Sequence, residues 1–501
     1  MDQAPVWYRR GFFAICAVAA FVIAAHIALA FWARNEIAAA ESIIALHSMM
    51  LAQSGGLYYS NQAYPYTVTP YMPVFYLLEA ALFRTGIPIF LAGRLLSIAA
   101  LFGILYLTWK IVLLYTRDRW CAGTAVVLCA CTTVVPGWGT IGRVDMLAVC
   151  FSIAAFYFYA RYTVAEPAEA KNLAWSAVFA FASLMTKQTL VAAPAAICLL
   201  LFFRKDTRVR AIQYAVAVAG GAALVTFGTD WLLHGRFLFN TVFANVNPFA
   251  AEKLQQHAEF YFISLGQLLV VIFAGLSKAI RGHFRDPLVY LGISFAVLAA
   301  TAGKIGSDTN YHIESAVLIA ICTAISLHLL AFHSHVFRGS KAWITLLQLP
   351  LLIHVVNNVR IMIPFFQSRV VQEFEMDDYA RRLKPYYASG DRPVIAMDFN
   401  SLIRSRGKLD VEPLIYTILV NAGRIDPEPM RKDIEAGAIP VIMLHQDLAK
   451  PNLTDPEIPS LPAPLLAAMR NRYEYAGFVP GPYFGGVYVY RPANAHTAVK
   501  R

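Results

Sequence analysis

Apolar segments dominate the first 360 residues and alternate with short polar connections. Runs of about 20 residues with few charges are typical of helices that cross a bilayer. The pattern predicts about eleven such helices, with the N-terminus on the cytoplasmic side. Their approximate ranges are 11–32, 93–116, 120–136, 146–161, 173–186, 190–203, 212–232, 260–277, 287–302, 311–331 and 341–359. This topology places the connections rich in Lys and Arg inside, as the positive-inside rule requires.

The long polar connection after the first helix contains two further helical patterns. From Glu41 to Phe83 it reads ESIIALHSMMLAQSGGLYYSNQAYPYTVTPYMPVFYLLEAALF. Its second apolar run, 70–83, has about 14 residues, which is too short to cross a bilayer. If that run did cross, the basic cluster at Arg117 and Arg119 would move to the outer side, against the positive-inside rule. We therefore predict two interfacial helices on the outer surface of the membrane.

From about residue 360 the composition changes to that of a soluble domain. Three short runs, PVIAMDF, IPVIMLH and GVYVYR, are typical of buried strands. Helical patterns lie among them, at 370–383, 412–420, 427–435 and 464–470. The alternation predicts a small α/β domain. We divide the chain into a transmembrane domain, 1–360, and an extracytoplasmic α/β domain, 361–501.

Composition excludes several classes of protein. A chain of 501 residues is long enough for about three soluble domains. However, 58% hydrophobic residues, 15% charged residues and a mean hydropathy of +0.53 describe a polytopic membrane protein. Basic cytoplasmic loops account for the net charge of +11, so we expect no nucleic-acid partner. All seven cysteines lie in apolar segments, which argues against a disulfide framework or a zinc knuckle.

Ionisable residues near a membrane core are candidates for a functional role, because they are costly to bury. The predicted topology places several of them on the outer side. Glu41 opens the first interfacial helix, either as a functional acid or as an acid that complements the helix dipole. Arg143 and Asp145 stand at the entrance to an apolar run. They form either an ordinary interfacial ion pair or a site at which Arg143 binds an anionic headgroup and Asp145 positions a substrate or metal.

Two further groups lie at the same predicted level. Lys187 and Gln188 form a short polar turn between apolar runs. A lysine there either marks a helix end or binds a phosphate, for which an ammonium group is a good ligand. Asn310, Tyr311 and Glu314 recur at three- and four-residue spacing, so they can face one site.

The order of these features resembles a known family. A membrane helix is followed by an acid on an interfacial helix, and then by G-x-x-Y, YPY, G-R-L-x-S, R-V-D-M-L and T-K-Q-T. This order is similar to that of the GT-C membrane glycosyltransferases, the superfamily of the protein O-mannosyltransferases and the lipid A aminoarabinose transferases. The resemblance covers about residues 10–320 and is closest to the bacterial mannosyltransferase-like branch. It is more specific for the fold than for the sugar.

The resemblance implies a function and roles for individual residues. Such enzymes take a sugar from a polyprenyl-phosphate donor and transfer it on the non-cytoplasmic face, typically with inversion. By position, Glu41 matches the first-loop acid that activates or orients the acceptor, and Asp145 matches the second acid. Arg143 and Lys187 would bind the lipid phosphate. The remaining members of the predicted substrate-binding set are Tyr66, Gln188, Asn310, Tyr311 and Glu314.

One position departs from the family pattern. Many relatives have Asp-Glu in the first loop, whereas here Ser42 follows Glu41, and Glu36 is a competing candidate for the base. The base and the need for a divalent metal therefore stay open. We expect a multi-pass protein of a bacterial inner membrane that contacts membrane lipids and has a glycan, lipid or protein acceptor. The alternatives are a lipid-linked polymer ligase or polymerase and, outside the enzymes, a secondary transporter.

Overall fold

The structure is a computed structural model that is mostly α-helical, with one small sheet near the C-terminal end. It describes residues 6–38, 41–164, 169–245, 247, 249–262, 264–276, 282–304, 306–333, 341–387, 390–450, 461–482 and 484–493.

The helices before residue 334 form the larger part of the molecule. In chain order they are α1 Val6–Trp32, α2 Glu41–Ser54, α3 Val74–Arg84, α4 Ile89–Thr116, α5 Arg119–Cys131, α6 Val134–Trp138, α7 Val144–Val164, α8 Ala170–Leu184, α9 Ala192–Phe203, α10 Arg208–Ala215, α11 Gly221–Leu232, α12 Arg236–Leu238, α13 Ala251–Phe260, α14 Leu265–Leu276, α15 Arg285–Thr301 and α16 Ile313–His333. Short 3₁₀ turns lie at Lys205–Thr207, Gly282–Phe284 and Thr309–His312, and π-helical turns lie at Val216–Gly220 and Phe239–Phe243.

Several of these helices have the length and composition of membrane spans. Among the described residues five qualify, namely Phe13–Trp32, Ile89–Thr116, Val144–Val164, Lys205–Leu232 and Thr309–Leu330. A sixth is added if α13 and α14, which meet at 82°, form one broken span. Each of the predicted ranges overlaps a helix. The chain is thus a helical membrane protein, while the count of eleven spans stays a prediction.

The first long connection contains α2 and α3, which pack against each other and against α4. Pro73 stands at the N-cap of α3, and the helix ends before Gly86, whose φ of 93° lies in the left-handed region. At 11 residues α3 is too short to span a bilayer, as predicted from the apolar run. It buries Phe75 and Tyr76 against its neighbours. These two helices therefore pack onto the helical bundle.

A four-stranded sheet forms the centre of the C-terminal part. Its strands are β1 Ile395–Ala396, β2 Ile442–Leu444, β3 Tyr473–Pro480 and β4 Gly486–Pro492, in the order β1-β2-β4-β3. β1 and β2 are parallel, whereas β4 is antiparallel to both β2 and β3. The accompanying helices are α17 Lys341–Leu383, α18 Phe399–Ser405, α19 Pro413–Asn421, α20 Glu428–Ala436 and α21 Ala463–Arg472, with a 3₁₀ turn at Lys384–Tyr387.

Three of the four strands and the four predicted helices match the sequence pattern in place and type. β3 and α18 were not predicted. The long helix α17 continues through residues 360 and 361, where we placed the boundary between domains. The division into two domains therefore stays a prediction, and a continuous helix joins the two regions.

Candidate active site

Asp145 lies at the centre of a buried polar cluster at the start of α7. Its side chain is 1% exposed. Oδ1 accepts hydrogen bonds from Lys187 Nζ at 2.6 Å and from Asn310 Nδ2 at 2.8 Å. Oδ2 accepts one from Arg143 Nε at 3.2 Å. One carboxylate is thus shared by two cations and an amide, so the three basic and acidic groups together carry a surplus positive charge.

Three chain segments bring the cluster together. Arg143 precedes α7, Lys187 lies in the turn between α8 and α9, and Asn310 lies in the 3₁₀ turn that leads into α16. Because α7, α8 and α16 all begin or end at this level, groups far apart in sequence meet at one height of the bundle. The sequence predicted that these residues share one side of the membrane, and the structure places them in direct contact.

Aromatic rings surround the two cations. Lys187 Nζ lies 4.5 Å from the centre of the Tyr311 ring and 6.0 Å from that of Tyr71. The guanidinium carbon of Arg143 lies 5.2 Å from the Trp138 ring, and Arg143 Nη2 donates to the Tyr71 hydroxyl at 3.3 Å. Ring faces stabilise cations that have lost part of their water.

The same surroundings keep Lys187 charged. Burial acts to lower the pKa of Lys187, but the Asp145 carboxylate and the nearby tyrosines outweigh it, so that pKa is raised above its ordinary value. The ammonium group therefore remains available to bind an anion.

A narrow cleft lies beside this cluster, with a cavity volume of about 30 Å³. Its lining combines charged and polar side chains with apolar residues of α7, of α15 and of the turn before α9. The lining consists of Asp145, Val149, Lys187, Thr189, Leu190, Ser294, Val297, Leu298, Thr301, Asn310, Tyr311 and Glu314. The cleft thus has two buried cations and apolar side chains in or beside its lining.

Glu314 is a second carboxylate in this lining. Its Oε1 accepts hydrogen bonds from Ser152 Oγ at 2.5 Å and from Tyr290 Oη at 2.6 Å. Among the described residues, both of these donors act on the same oxygen of Glu314. Of the predicted site residues, Arg143, Asp145, Lys187, Asn310, Tyr311 and Glu314 therefore lie in or beside one cleft.

Glu41 lies elsewhere, in a closed ion pair with Arg94 of α4. Arg94 Nε donates to Glu41 Oε1 and Nη2 donates to Oε2, both at 2.9 Å. Two backbone amides complete the carboxylate's partners, Ile37 N–H at 2.7 Å to Oε2 and Gly142 N–H at 2.7 Å to Oε1. A Cβ at Gly142 would lie 3.2 Å from Glu41 Oε1, so this close approach favours glycine. Glu41 is not part of the cleft lining.

The residues that compete with Glu41 form a separate group. Ser42, which follows Glu41, donates from Oγ to Glu36 Oε2 at 2.6 Å. The Glu36 amide in turn donates to Asn400 Oδ1 at 3.1 Å. Glu36 thus joins the first connection to α18 of the C-terminal part.

Tyr66 and Gln188 also lie outside the cleft lining. Tyr66 is 2% exposed and packs its ring against Tyr416 of α19, with 5.2 Å between ring centres. Gln188 Nε2 donates to the carbonyl oxygens of Pro70 at 2.7 Å and Thr241 at 2.9 Å. Their contacts are with the protein itself, and their predicted role in substrate binding stays a prediction.

The donor groups present do not form a metal site. Among the described ranges, no three or more His, Cys, Asp or Glu residues lie close enough together to hold a metal ion. Both oxygens of Asp145 are already bonded to cationic side chains. We therefore assign no step to a metal.

Solved structures with this architecture include ArnT from Cupriavidus metallidurans. Its apo structure matches with a TM-score of 0.62 at 12% identity, covering 95% of this chain and 97% of ArnT. Its complex with undecaprenyl phosphate matches with a TM-score of 0.60 at 12% identity, covering 98% and 99%. The chain has the fold of ArnT. The resemblance to GT-C membrane glycosyltransferases is therefore confirmed at the level of the fold.

A second GT-C protein has a related fold. The archaeal oligosaccharyltransferase AglB from Archaeoglobus fulgidus, in complex with an inhibitory peptide and a dolichol-phosphate, matches with a TM-score of 0.50 at 11% identity. That match covers 87% of this chain and 70% of AglB. No family model and no curated protein sequence matches the chain.

Sequence reasoning missed several residues that organise this region. Arg94, which is 0% exposed, holds Glu41, and Tyr71 touches Arg143. Glu79 of α3 is buried and accepts a hydrogen bond from Ser48 Oγ at 2.6 Å. For Arg94 and Glu79 the available signal was the lone charge in an apolar run, because a charge at membrane depth requires a partner.

Proposed function

We propose that this protein is an integral membrane glycosyltransferase that uses a polyprenyl-phosphate-linked sugar. It transfers the sugar to a glycan, lipid or protein acceptor on the non-cytoplasmic face, with inversion. The observation that carries the proposal is the buried cluster of Lys187, Arg143 and Asp145 beside a partly apolar cleft. A fold shared with ArnT, whose structure holds undecaprenyl phosphate, supports the same donor class.

The cations in this proposal serve the leaving group. When the bond between the sugar's anomeric carbon and the phosphate oxygen breaks, the phosphate takes the electron pair and gains negative charge. Lys187 and Arg143 then stabilise the polyprenyl phosphate, since preorganised charges at a site sheltered from water act strongly on developing charge. Neither cation has to be ordered during the reaction, because Asp145 and the aromatic rings already hold both.

We assign the role of base to Asp145. The acceptor hydroxyl forms its bond to the anomeric carbon as the bond to the phosphate oxygen breaks, and its proton passes to the Asp145 carboxylate. As the phosphate binds Lys187, the hold of Lys187 on Asp145 weakens, which frees a carboxylate oxygen for the acceptor. A positioned general base contributes about 10²- to 10⁴-fold to a rate.

Glu41 and Glu314 receive other roles. Arg94 and two amides already occupy the Glu41 oxygens, so we infer that Glu41 positions the first connection against α4 and α7. Glu314 faces the cleft with one oxygen fixed by Ser152 and Tyr290. A carboxylate repels phosphate but accepts hydrogen bonds from hydroxyls, so we propose that Glu314 binds the sugar.

Lys187→Met tests the phosphate-binding role. We expect at least about tenfold weaker binding of undecaprenyl phosphate, since a hydrogen bond to a charged group contributes about 1.5–3 kcal/mol. Binding of undecaprenol, which lacks the phosphate, should not change. Both affinities are measured by native mass spectrometry of the detergent-purified protein.

Lys171→Met is the matched control, because Lys171 is an exposed lysine paired with Glu169. Equal affinity of Lys187→Met and the wild type for undecaprenyl phosphate would contradict the assignment. A wild type that binds undecaprenol as well as undecaprenyl phosphate would contradict the donor class itself.

Comparative mass spectrometry of glycolipids and glycans from a deletion strain tests the reaction. We expect one glycan to lack a single sugar and to regain it on complementation with the wild-type protein. An unchanged glycan profile would contradict a transferase and favour a transporter.

A further inference from the structure

An extended segment, residues 66–71, connects the C-terminal part to the two cations of the cleft. We call it the strap. Its first residue pairs with residue 411, and its last contacts Arg143. Five peptide steps span at most about 18 Å when extended, which limits how far apart the two ends of the strap can lie.

The C-terminal part holds the first residues of the strap by backbone and side-chain bonds. Tyr66 N–H donates to Asp410 O, and Glu412 N–H donates to Tyr66 O, both at 2.8 Å. Glu412 Oε2 accepts from Thr67 Oγ1 at 3.0 Å and from Val68 N–H at 3.4 Å. These bonds fix one end of the strap to the N-terminus of α19.

Thr67 also joins this end to the interfacial helix α2. His47 Nε2 lies 2.8 Å from Thr67 Oγ1. Because the Thr67 hydroxyl donates its only proton to Glu412, His47 Nε2 must be the donor in that contact. Burial lowers the pKa of His47 to about 3, which keeps its ring neutral. The two hydrogen bonds therefore form a chain in which His47 donates to Thr67 and Thr67 donates to Glu412.

The membrane-side residues of the strap are fixed as well. Thr69 Oγ1 donates to Leu57 O at 2.7 Å, and Thr69 N–H donates to Asn240 Oδ1 at 3.0 Å. The carbonyl oxygen of Pro70 accepts from Gln188 Nε2 at 2.7 Å and from Asn245 Nδ2 at 2.9 Å.

The last residue of the strap is held in the same way. The carbonyl oxygen of Tyr71 accepts from the Tyr58 hydroxyl at 3.0 Å. The Tyr71 hydroxyl then accepts from Arg143, and its ring faces Lys187. Tyr71 is therefore the point at which the strap meets the cations.

We propose that Glu412 and Thr67 are positioning residues for the phosphate-binding pair, acting through the strap on Tyr71. This rests on the proposed function only where it calls Arg143 and Lys187 a phosphate site. Each strap residue is hydrogen-bonded, so a bond lost at Thr67 or Glu412 acts on Tyr71 by shifting the bonded residues between them relative to Arg143. The C-terminal part thereby controls the geometry of a site whose cleft is lined by none of its described residues.

Thr67→Val tests the proposal, because it removes one hydroxyl and leaves the volume of the side chain nearly unchanged. We expect about three- to tenfold weaker binding of undecaprenyl phosphate, which corresponds to one lost hydrogen bond. Amide hydrogen exchange at residues 69–72 and 186–190 should become faster. Glu412→Ala should give the same pattern, and Thr67→Ser should restore wild-type values because it keeps the hydroxyl.

Two controls separate positioning from general loss of stability. Thr163→Val removes a threonine hydroxyl that bonds only within α7, and Glu428→Ala breaks a surface ion pair of the C-terminal part. Both should leave undecaprenyl phosphate affinity and exchange at residues 186–190 unchanged. Gln188→Leu, which frees the strap from its other side, should be non-additive with Thr67→Val, as expected for residues that share one network.

The outcomes separate this proposal from the proposed function. If the wild type does not bind undecaprenyl phosphate, but Thr67→Val still accelerates exchange at residues 186–190, the strap stands and the donor assignment fails. If exchange there does not change in Thr67→Val and Glu412→Ala, the strap proposal is wrong whatever the lipid affinity. It is also wrong if Thr67→Ser behaves as Thr67→Val does.

Discussion

Two buried carboxylates on the same side of the bundle have opposite surroundings. Glu41 and Asp145 are each 1% exposed, and each lies in the first turn of a helix. Glu41 has one cation, Arg94, and two backbone amides, and it lies away from the cleft. Asp145 is shared by Lys187 and Arg143 at the edge of the cleft. In the first arrangement one carboxylate faces one cation, whereas in the second one carboxylate is shared by two cations, of which Arg143 also interacts with Asp308.

The difference shows what distinguishes a structural ion pair from a candidate site. Burial and a cationic partner are common to both carboxylates, so neither criterion selects between them. The number of cations around the carboxylate and its access to a cleft do distinguish the two. A ligand can replace the carboxylate as the partner of a cation only where that cation borders open space. On these criteria Asp145 is the stronger candidate for a catalytic role, and Glu41 is the stronger candidate for a role in stabilising the fold.

Asp145→Asn should have the largest effect on the reaction. We expect sugar transfer to fall by at least about a hundredfold, the lower range for loss of a general base. Binding of undecaprenyl phosphate should be kept or tightened, because Lys187 and Arg143 lose a competing anion. Glycan mass spectrometry of complemented cells measures transfer, and native mass spectrometry measures binding.

Asp391→Asn is the matched control, since Asp391 is fully exposed in the C-terminal part. It should match the wild type in transfer and in binding. If Asp145→Asn transferred sugar at the wild-type rate, or lost transfer and phosphate affinity together, Asp145 would not be a base that competes with the phosphate.

Glu41→Gln should instead act mainly on stability. It leaves the Arg94 guanidinium buried without a countercharge, and breaking a buried pair in this way costs about 3–5 kcal/mol. We expect a large fall in the Tm of the detergent-purified protein. The double variant Glu41→Gln with Arg94→Met removes both charges and should recover part of that loss, because neither group then remains unpaired.

The surface variant Glu428→Gln provides the reference for an exposed pair and should leave Tm nearly unchanged. If Glu41→Gln kept the wild-type Tm and lost transfer, the assignment of the two carboxylates would be reversed. Equal Tm values for the single and double variants would show that Arg94 is not the partner that matters.

The periodicity of apolar and polar positions predicted most helices and strands, because it reflects which face of each element is buried. The interfacial helix α3 and the helix α19 were both expected close to their observed bounds. β3 was missed because it follows α21 directly and contains Glu474 and Gly477, which interrupt a strand pattern.

The sequence was less informative about the site, for reasons that differ between residues. Positive-inside bias predicted that Asp145 and Lys187 share a side of the membrane, but only the packing of α7 against α8 and α9 sets their 2.6 Å contact. Arg94 lies 53 positions from Glu41, and the other two donors to Glu41 are backbone amides that carry no sequence signature. The ion pair of Glu41 and the cluster around Asp145 therefore cannot be told apart from the sequence.

Glu79 extends the comparison to a buried carboxylate with no cation beside it among the described residues. Its hydrogen-bond donor there is Ser48. Burial raises the pKa of Glu79 from its ordinary value of 4.5 to about 8, and the nearby Glu41 charge adds to the increase. The folded protein therefore keeps the Glu79 proton at a pH where the unfolded chain has released it. The resulting stability is fully present below pH 4.5 and is lost as the pH rises through about 8.

Glu79→Gln should remove this pH dependence, because the amide stays neutral at every pH. We expect the Tm of the wild type to fall relative to that of the variant between pH 4.5 and about 8, and the difference to become constant above that range. Thermal unfolding of both proteins in one detergent and buffer series measures it. Other titrating groups, such as Asp398, are common to both proteins and cancel in the difference. Parallel Tm curves would mean that Glu79 is ionised throughout, and that burial without a cation does not keep a carboxyl group neutral here.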